Sequence, residues 1–290
     1  MLRKLLVSLG VAQALAASPA AADALREIRE IREMLWDRSA RFSISETLAR
    51  IDAIEEGVAE PDPELRGELA YARAYLHSRR YEFEPALAAY DEALAIHDET
   101  PFLPERVAIS ARLGRATQLE DLARWKEAVE AWRAAIPLVE ASDAHDENEL
   151  AGTKERLAYA LHEAGEYEEA EALNREVIET GERLFGDDVW QLMTALINLA
   201  QNLHAQDRPA EARPVLLRVL GIARDTGDAQ REASMLFQLG VLDFEMGDPE
   251  SAEAWFRKAV EHARATGDAY LLEDAERDLA EFERRRAAGE

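Results

Sequence analysis

The 290-residue chain contains no cysteine, which excludes disulfide bonds and thiolate chemistry. It also has no glycine-rich phosphate-binding loop and no Gly-x-Ser-x-Gly nucleophile turn, so the usual signatures of nucleotide-binding and hydrolase sites are missing. Acidic pairs occur throughout the sequence, and no single pair stands out as a catalytic dyad. These absences predict that the protein is not an enzyme and that it uses no cofactor.

Histidine is scarce, with six residues in the chain. None of them forms the helical His-Glu-x-x-His pair of a zinc protease. The run His145-Asp146-Glu147 groups side chains of the ligand type, but no second group is spaced to complete a coordination shell. A solvated loop is the simpler interpretation, and we expect no metal site.

Basic side chains are also in short supply. The chain has 34 Lys and Arg against 59 Asp and Glu, a formal net charge of −25. Nucleic acid and anionic lipid repel a chain this acidic, so we expect neither as a partner. A basic or neutral protein fits better. Alternatively, the charge serves only to keep the surface solvated and the protein soluble.

Residues 1–22 allow two interpretations. A basic start, a short apolar run and small residues resemble a secretory signal peptide, which would place the protein outside the cytoplasm; the run is too short to span a membrane. Alternatively, an amphipathic helix packs on the first repeat, with one apolar face formed by Leu2, Leu5, Leu6 and Leu9. Gly10 and Gln13 weaken the apolar run, so we favour the helix and a cytoplasmic location.

The main positive feature of the sequence is an alanine that recurs with a fixed period. The five signature alanines are Ala86, Ala128, Ala170, Ala212 and Ala252, spaced by 42 residues (128 − 86) and finally by 40 (252 − 212). Such a period indicates stacked two-helix repeats. Large residues four positions after most of these alanines lie on the same helical face. The small side chain would let two helices cross closely, and the larger one would fill the space beside it.

Two segments show the repeat most clearly. They read Leu157-Ala158…Gly165-Glu166-Tyr167-Glu168-Glu169-Ala170 and Leu239-Gly240…Gly247-Asp248-Pro249-Glu250-Ser251-Ala252. These segments resemble tetratricopeptide repeats. The long period, the linker 182–189 and the helix Leu196-Ile197-Asn198-Leu199-Ala200 resemble the bacterial kinesin-light-chain-like subclass, although the His-Pro that often follows its linker glycine is missing. The resemblance covers about residues 66–265.

The resemblance implies an all-α fold, a right-handed α-solenoid of antiparallel helix pairs. We predict a degenerate first repeat at 23–60, five repeats at 66–268 and a capping helix at 269–290. In the first two repeats the small position of helix A has two candidates each. They are Ala72 or Ala74, and Gly114 or Ala116.

Turn residues indicate where the helices end. Gly165 suits a left-handed helix exit between helices A and B of the third repeat. Between repeats, a glycine can end one helix and the following aspartate can cap the next, as at Gly186-Asp187, Gly227-Asp228 and Gly267-Asp268. Pro137 falls inside a helix B and should bend it.

Apolar stripes with helical spacing extend on both sides of the repeats. Those upstream are Leu25, Ile28, Ile31 and Leu35, then Leu48, Ile51, Ile54 and Val58. Downstream, the stripe is Leu272, Ala275, Leu279 and Phe282, and the opposite face carries Glu273, Arg277, Glu281 and Arg284. A polar outer face is what the end of a solenoid requires, because no neighbour covers it.

In the tetratricopeptide family the A helices line a concave groove, and the resemblance implies that a ligand binds there. Counting back from the signature alanines gives the predicted groove residues Glu155, Arg156, Tyr159, His162, Asn198, Gln201, His204, Phe237, Gln238 and Val241. Asn198 matches an asparagine of the family that holds a bound peptide's backbone, which suits an amide because it both donates and accepts. Phe237, Val241 and Phe244 would form an apolar pocket, unless Phe244 packs against the terminal helix instead.

Two functions remain open. The first is an adaptor that binds a protein or peptide segment, with a basic segment favoured, in the concave groove. The second is a structural component of a larger complex, in which the array self-associates as a homo-oligomer or uses its ends. Neither needs a small-molecule substrate, and nothing resembles the basic recognition helix of a DNA-binding regulator.

Overall fold

The computed structural model describes residues 19–37, 39–187 and 189–288, and these form thirteen α-helices, one short 3₁₀ helix and no strand. The helices are α1 (Pro19–Trp36), α2 (Ile44–Glu56), α3 (Pro63–Arg79), α4 (Phe83–Glu99), α5 (Glu105–Asp121), α6 (Trp125–Ala141), α7 (Glu147–Ala164), α8 (Tyr167–Phe185), α9 (Met193–Ala205), α10 (Pro209–Thr226), α11 (Ala229–Glu245), α12 (Pro249–Thr266) and α13 (Ala269–Ala288). The predicted all-α solenoid of helix pairs is therefore confirmed.

Most of the predicted N-terminal segment, 1–22, lies outside the described residues. Only its last part, Pro19–Ala22, is described, as the first turn of α1. The signal peptide, the amphipathic helix and the location of the protein all stay predictions. Within the part of the chain that the structure describes, every helix is too short or too polar to cross a lipid bilayer.

The signature alanines are completely buried at the start of the B helices. Helices α4, α6, α8, α10 and α12 each begin three residues before their alanine, and all five alanine side chains are 0% exposed. A larger side chain at any of these positions would have to push two helices apart. The register of the repeat and the burial of its alanines are confirmed, whereas a close helix crossing at each alanine stays a prediction.

The turn between helices A and B has one backbone conformation in all five repeats. The residue five positions before the signature alanine has a positive φ each time, at Tyr81 (61°), Ala123 (53°), Gly165 (84°), Asp207 (58°) and Gly247 (79°). The sequence analysis predicted this conformation at Gly165. Tyr81, Ala123 and Asp207 adopt the same left-handed conformation, although their Cβ atoms make it sterically unfavourable.

Two of the three junctions predicted to have a capping glycine–aspartate pair follow that pattern. Gly227 and Gly267 have φ of 70° and 73°, and each ends a helix B. The Asp228 carboxylate accepts a hydrogen bond from the Arg231 backbone N–H at 3.0 Å, and Asp268 accepts one from Leu271 at 3.1 Å. Each aspartate therefore caps the next helix A. At the third junction, Gly186 ends α8 but Asp187 caps no helix, because a 3₁₀ helix at Trp190–Leu192 precedes α9 and α9 has no side-chain cap.

Contacts divide the chain into two compact units, Met1–Gln118 and Leu119–Glu290. In the first unit, the predicted stripes of α1 and α2 pack against α3, with Ile28 and Ile51 fully buried. Arg32 of α1 forms an ion pair with the buried Glu68 of α3. The small positions are also buried, since Ala72 and Ala74 are 0% exposed.

In the second unit a large apolar core runs from α8 to α13, and a smaller cluster of Ala252, Phe256 and Phe282 lies apart from it. Pro137 lies inside α6, as predicted, and Pro214 lies inside α10, which the sequence analysis did not anticipate. At the far end, Ala275 and Phe282 of α13 are buried. The predicted outer face of this helix is exposed, at Glu273, Arg277, Glu281 and Arg284.

Candidate protein-binding groove

The A helices of the second unit lie side by side on one face, which we call the A-helix face. It is formed by α7, α9 and α11, and α13 continues it. Helices α7 and α9 are in contact, as are α11 and α13. Between α9 and α11, His204 Nε2 lies 2.6 Å from the Glu245 carboxylate.

Five of the ten predicted groove residues meet around one small cavity between α9 and α11. This first pocket has a volume of about 100 Å³ and is lined by Ala200, Gln201, His204, Leu216, Phe237, Gln238, Val241 and Leu242. Its walls are aliphatic or aromatic, and its rim is polar. Phe237 remains 37% exposed, so it is accessible to a ligand.

Two of the side-chain amides on α9, those of Asn198 and Gln201, are free to bind a ligand. Among the described residues, neither Asn198 nor Gln201 makes a side-chain hydrogen bond; Asn198 is half-buried and Gln201 is exposed. An amide in this position can both donate to and accept from a peptide backbone. Asn198 does not line the first pocket, although its neighbour Ile197 lines a wide, open cavity between α9 and α11.

The side chain of His162 contacts other residues of the repeats and does not face the groove as a free group. Its Nδ1 lies 2.7 Å from Oδ1 of Asn202 on α9, and Asn202 is completely buried. The imidazole also contacts the ring of Tyr167 at 5.3 Å. This predicted groove residue therefore links α7 to α9.

Phe244 packs against the terminal helix, which was the second of the two alternatives predicted for it. Its ring meets Phe282 of α13 edge to face, with centroids 5.3 Å apart, and the Arg285 guanidinium lies 5.2 Å from its centroid. Phe244 is therefore part of the contact between α11 and the terminal helix, and it does not line the first pocket.

The other three predicted residues lie on α7, beside two acidic residues at the end of α5. Arg156 forms an ion pair with Glu120, and its guanidinium lies 5.9 Å from the centre of the Trp132 ring. Trp132 Nε1 also donates to Glu120 at 2.6 Å. The Tyr159 ring meets Trp125 edge to face, with centroids 5.8 Å apart. Arg156 and Tyr159 are thus held by neighbours.

This acidic cluster consists of Glu120, Asp121 and Glu155. Burial raises the pKa of Glu120 to about 7, although the Arg156 charge opposes the shift. Burial also raises the pKa of Asp121 and Glu155. Desolvated carboxylates of this kind are stabilised by a nearby positive charge. The cluster would therefore favour a cationic group of a ligand.

Sequence reasoning missed Glu120, Asp121 and Leu216. Glu120 and Asp121 end α5, which is also an A helix. Counting back from Ala128 would have found Glu120, which lies eight residues before it as His162 does before Ala170, but not Asp121. Leu216 lies four residues after Ala212 and was assigned to the space between helices. It lines the first pocket together with Ala200.

The comparisons with known proteins agree with this geometry. The tetratricopeptide repeat family model matches residues 149–225 and 191–265. Among curated proteins, none matches the sequence. The crystal structure of BtubC (BKLC) from P. vanneervenii is similar at 20% identity, with a TM-score of 0.60, over 87% of this chain and 94% of that chain.

Two further solved structures are similar. One contains nearly identical kinesin-light-chain TPR-like repeats from Podospora anserina, with 16% identity and a TM-score of 0.59 over 71% of this chain and 98% of that chain. The other is aspartyl phosphate phosphatase F from Bacillus subtilis, with 11% identity and a TM-score of 0.62 over 92% of this chain and 80% of that chain. At these identities the likeness establishes the fold alone.

The buried signature alanines, the five helix pairs and the exposed A-helix face define a helical-repeat protein. The family match identifies residues 149–265 as tetratricopeptide repeats, and the helix pairs on either side of them continue the same all-α fold. The assignment of the chain to the bacterial kinesin-light-chain-like subclass stays a prediction.

Proposed function

We propose that this protein is an adaptor that binds a segment of another protein along the A-helix face of its second unit. The observation that carries the proposal is the first pocket. There an apolar wall that includes Phe237 and Val241 is bordered by Gln201, whose amide makes no hydrogen bond within the described residues. An apolar site with a few polar groups that fix orientation is the usual design of a recognition pocket.

Each side of the groove has a separate role in this proposal. Asn198 and Gln201 hold the ligand backbone, and Phe237 and Val241 accept an apolar side chain. The acidic cluster, which includes Glu155, attracts basic residues of the ligand. The net charge of −25 speeds the encounter with such a ligand at low ionic strength.

A protein ligand suits this face better than a small molecule or a reaction. Tetratricopeptide arrays typically serve as interaction scaffolds, and the fold alone does not specify the partner. The first pocket, at about 100 Å³, is smaller than the roughly 300 Å³ at which small-molecule sites begin. It has room for a single side chain of a larger ligand.

The experiment starts with a photo-crosslinking amino acid at Gln201, which captures the partner for identification by mass spectrometry. The purified partner is then titrated against wild type, Asn198→Ala and the control Asn148→Ala, an exposed amide in the first turn of α7. We expect Asn198→Ala to bind about ten- to a hundredfold more weakly, because a buried interface amide leaves its partners unpaired. Melting temperatures should be unchanged.

The same experiment decides between the adaptor and an assembly component. Adducts that form with a second copy of this chain, or only from a crosslinker on the outer face of α13 at Glu273, would favour assembly. Equal affinities of wild type and Asn198→Ala would also argue against backbone binding by this amide.

A further inference from the structure

The last helix adds a second pocket to the A-helix face. Helix α13 packs against α11 and α12, and residues of all three helices line a cavity of about 190 Å³, which we call the second pocket. Ala233, Leu271 and Ala275 form part of its apolar lining. None of the groove residues predicted from the sequence lies on α13, so this helix extends the candidate groove.

One side chain connects the second pocket to the first. Phe237 of α11 lines both pockets. Its ring meets Phe256 of α12, which also lines the second pocket, edge to face with centroids 5.8 Å apart. A ligand that contacts the exposed side chain of Phe237 in the first pocket therefore has the second pocket directly beside it.

The size and lining of the second pocket limit what can fill it. At about 190 Å³, it is smaller than the roughly 300 Å³ at which small-molecule sites begin, so it has room for one long side chain of a larger ligand. Its apolar lining is bordered by the exposed charged residues Asp274 and Arg277. Such a site suits a side chain that is apolar along its stem and charged at its tip, as lysine and arginine are.

Carboxylates outnumber cations at this pocket. Among the described residues that line it, the charged ones are Asp274, Asp278 and Arg277, all on α13. The Arg277 guanidinium lies 2.7 Å from the Asp274 carboxylate and 3.7 Å from that of Asp278, so it pairs more closely with the first. One negative charge is left in excess, and the pocket therefore favours a cationic group of a ligand.

Asp278 is the carboxylate that would gain most from a further cation. Its side chain is 27% exposed, compared with 59% for Asp274. Burial raises the pKa of Asp278, the Arg277 charge opposes this shift, and the charge of Asp274 adds to it. A second positive charge would stabilise a partly buried carboxylate of this kind.

Arginine fits these groups better than lysine. A guanidinium presents five N–H donors in one plane and can pair with a carboxylate through two parallel hydrogen bonds, whereas an ammonium acts as a point charge. A guanidinium also stacks on aromatic rings. The chain itself contains such an arrangement, because Arg156 pairs with Glu120 and lies 5.9 Å from the centre of the Trp132 ring. Phe237 and Asp278 offer an incoming arginine the same combination of ring and carboxylate.

We propose that the second pocket binds an arginine side chain of the protein segment that occupies the A-helix face. The stem of this arginine packs on the apolar lining beside Phe237, and its guanidinium pairs with Asp278 and Asp274. Arg277 competes with it for these carboxylates. The proposal rests on the proposed function, extends the groove to α13 and specifies one residue of the ligand.

The test uses the full chain with isotope-labelled methyl groups, and the tripeptide acetyl-Ala-Arg-Ala-amide is the probe. An NMR titration follows the methyl resonances of Ala233, Leu271 and Ala275, which line the pocket. Two comparison tripeptides replace the arginine by lysine or by citrulline, which has the shape of arginine without its charge. Thermal melts confirm that each protein variant is folded.

We expect the citrulline tripeptide to bind about tenfold more weakly than the arginine tripeptide, because hydrogen bonds from an ionised donor are stronger than neutral ones. The lysine tripeptide should have an intermediate affinity. Asp278→Asn should weaken arginine binding, whereas Glu283→Gln, at an exposed position of α13 outside the pocket, should not. Arg277→Gln should strengthen binding, because it removes the competing cation. Its control, Arg284→Gln, removes the same charge from the outer face of α13 and should leave the affinity unchanged.

The outcomes separate this proposal from the proposed function. The arginine site is wrong if the methyl resonances do not shift, or if the citrulline tripeptide binds as well as the arginine tripeptide. It is also wrong if Glu283→Gln weakens binding as much as Asp278→Asn, since only the net charge would then attract the peptide. If Asn198→Ala weakens binding of the captured partner and Asp278→Asn does not, the groove stops at α11 and the adaptor proposal stands. If neither variant affects that binding, both proposals fail at this face.

Discussion

At the scale of single residues, the turn between helices A and B shows how a repeat tolerates unfavourable side chains. Five turns share the left-handed conformation, but only Gly165 and Gly247 are glycines. A residue with a Cβ atom pays about 1–2 kcal/mol in this region of backbone space. Tyr81, Ala123 and Asp207 hold it because the helices on either side fix the turn.

This conformation predicts opposite effects for matched substitutions. Ala123→Gly should raise the free energy of unfolding by about 1 kcal/mol, and Gly165→Ala should lower it by a similar amount. A Cβ at Gly165 would meet no atom within 4 Å, so the loss would come from the backbone alone. Urea unfolding measures both. Ala134→Gly, at an exposed position inside α6, is the control and should destabilise by about 1 kcal/mol.

Asn174 is a second residue whose position conflicts with its chemistry. It lies four residues after Ala170 and is 0% exposed. Neither atom of its amide has a hydrogen-bond partner among the described residues. The other four repeats have Tyr90, Trp132, Leu216 and Phe256 at this position, and all four are buried.

We therefore expect Asn174→Leu to stabilise the protein by about 1–3 kcal/mol, because it removes an unsatisfied buried amide. Thermal unfolding of wild type and variant tests this. A lower melting temperature for the variant would show instead that the site cannot accept the larger side chain. Asn148→Leu, at an exposed position of α7, is the control and should change the melting temperature little.

At the scale of helices, a buried carboxylate of the second unit contacts two helices that follow it in the chain. Glu120, at the end of α5, is 5% exposed. It accepts from the Trp132 indole of α6 and pairs with Arg156 of α7. Burial nevertheless outweighs these favourable contacts and raises the pKa of Glu120 from 4.5 to about 7.

This pKa predicts the pH dependence of stability. The folded protein keeps the Glu120 proton up to about pH 7, whereas the unfolded chain releases it near its ordinary value of 4.5. The native state therefore binds more protons between these values, and stability falls as pH rises through this interval. Glu120→Gln should remove this part of the decline. Urea unfolding at pH 5 and pH 8 tests it, and an equal decline in both proteins would contradict the assignment.

The helix pairs could be predicted well from the sequence, because the same local pattern around the signature alanine recurs five times. An alanine that must be small, a turn glycine and an aspartate cap each act within one or two turns of helix. The position of Phe244 depends instead on a contact between helices that are far apart in the chain. Phe244 shows the limit most clearly, since only its packing on Phe282 decides between pocket and core.

At the scale of the whole molecule, a repeat array is stabilised mainly by contacts between neighbouring helices. Ion pairs in the second unit join adjacent repeats, such as Arg133 of α6 with Glu169 of α8 at 2.6 Å. Exposed ion pairs of this kind contribute little stability. The apolar contacts between adjacent helices are therefore the main source of cohesion, and damage to one repeat should spread chiefly to its neighbours.

Ala170→Glu tests this directly. The side chain at 170 is 0% exposed at the start of α8, so the substitution buries a charge and adds volume where two helices cross. We expect a loss of about 3 kcal/mol or more. Ala172→Glu, at an exposed position of the same helix, introduces the same charge and should have little effect.

Hydrogen exchange of Ala170→Glu should then show how far the damage extends. Amides of α7 to α10 should lose protection, while those of α1 to α3, which belong to the first compact unit, should keep it, because local unfolding follows cooperative units. Uniform loss of protection over all described helices would mean that the array unfolds as a single unit. An unchanged melting temperature would mean that Ala170 is not at the crossing of two helices, and the repeat register would have to be redrawn.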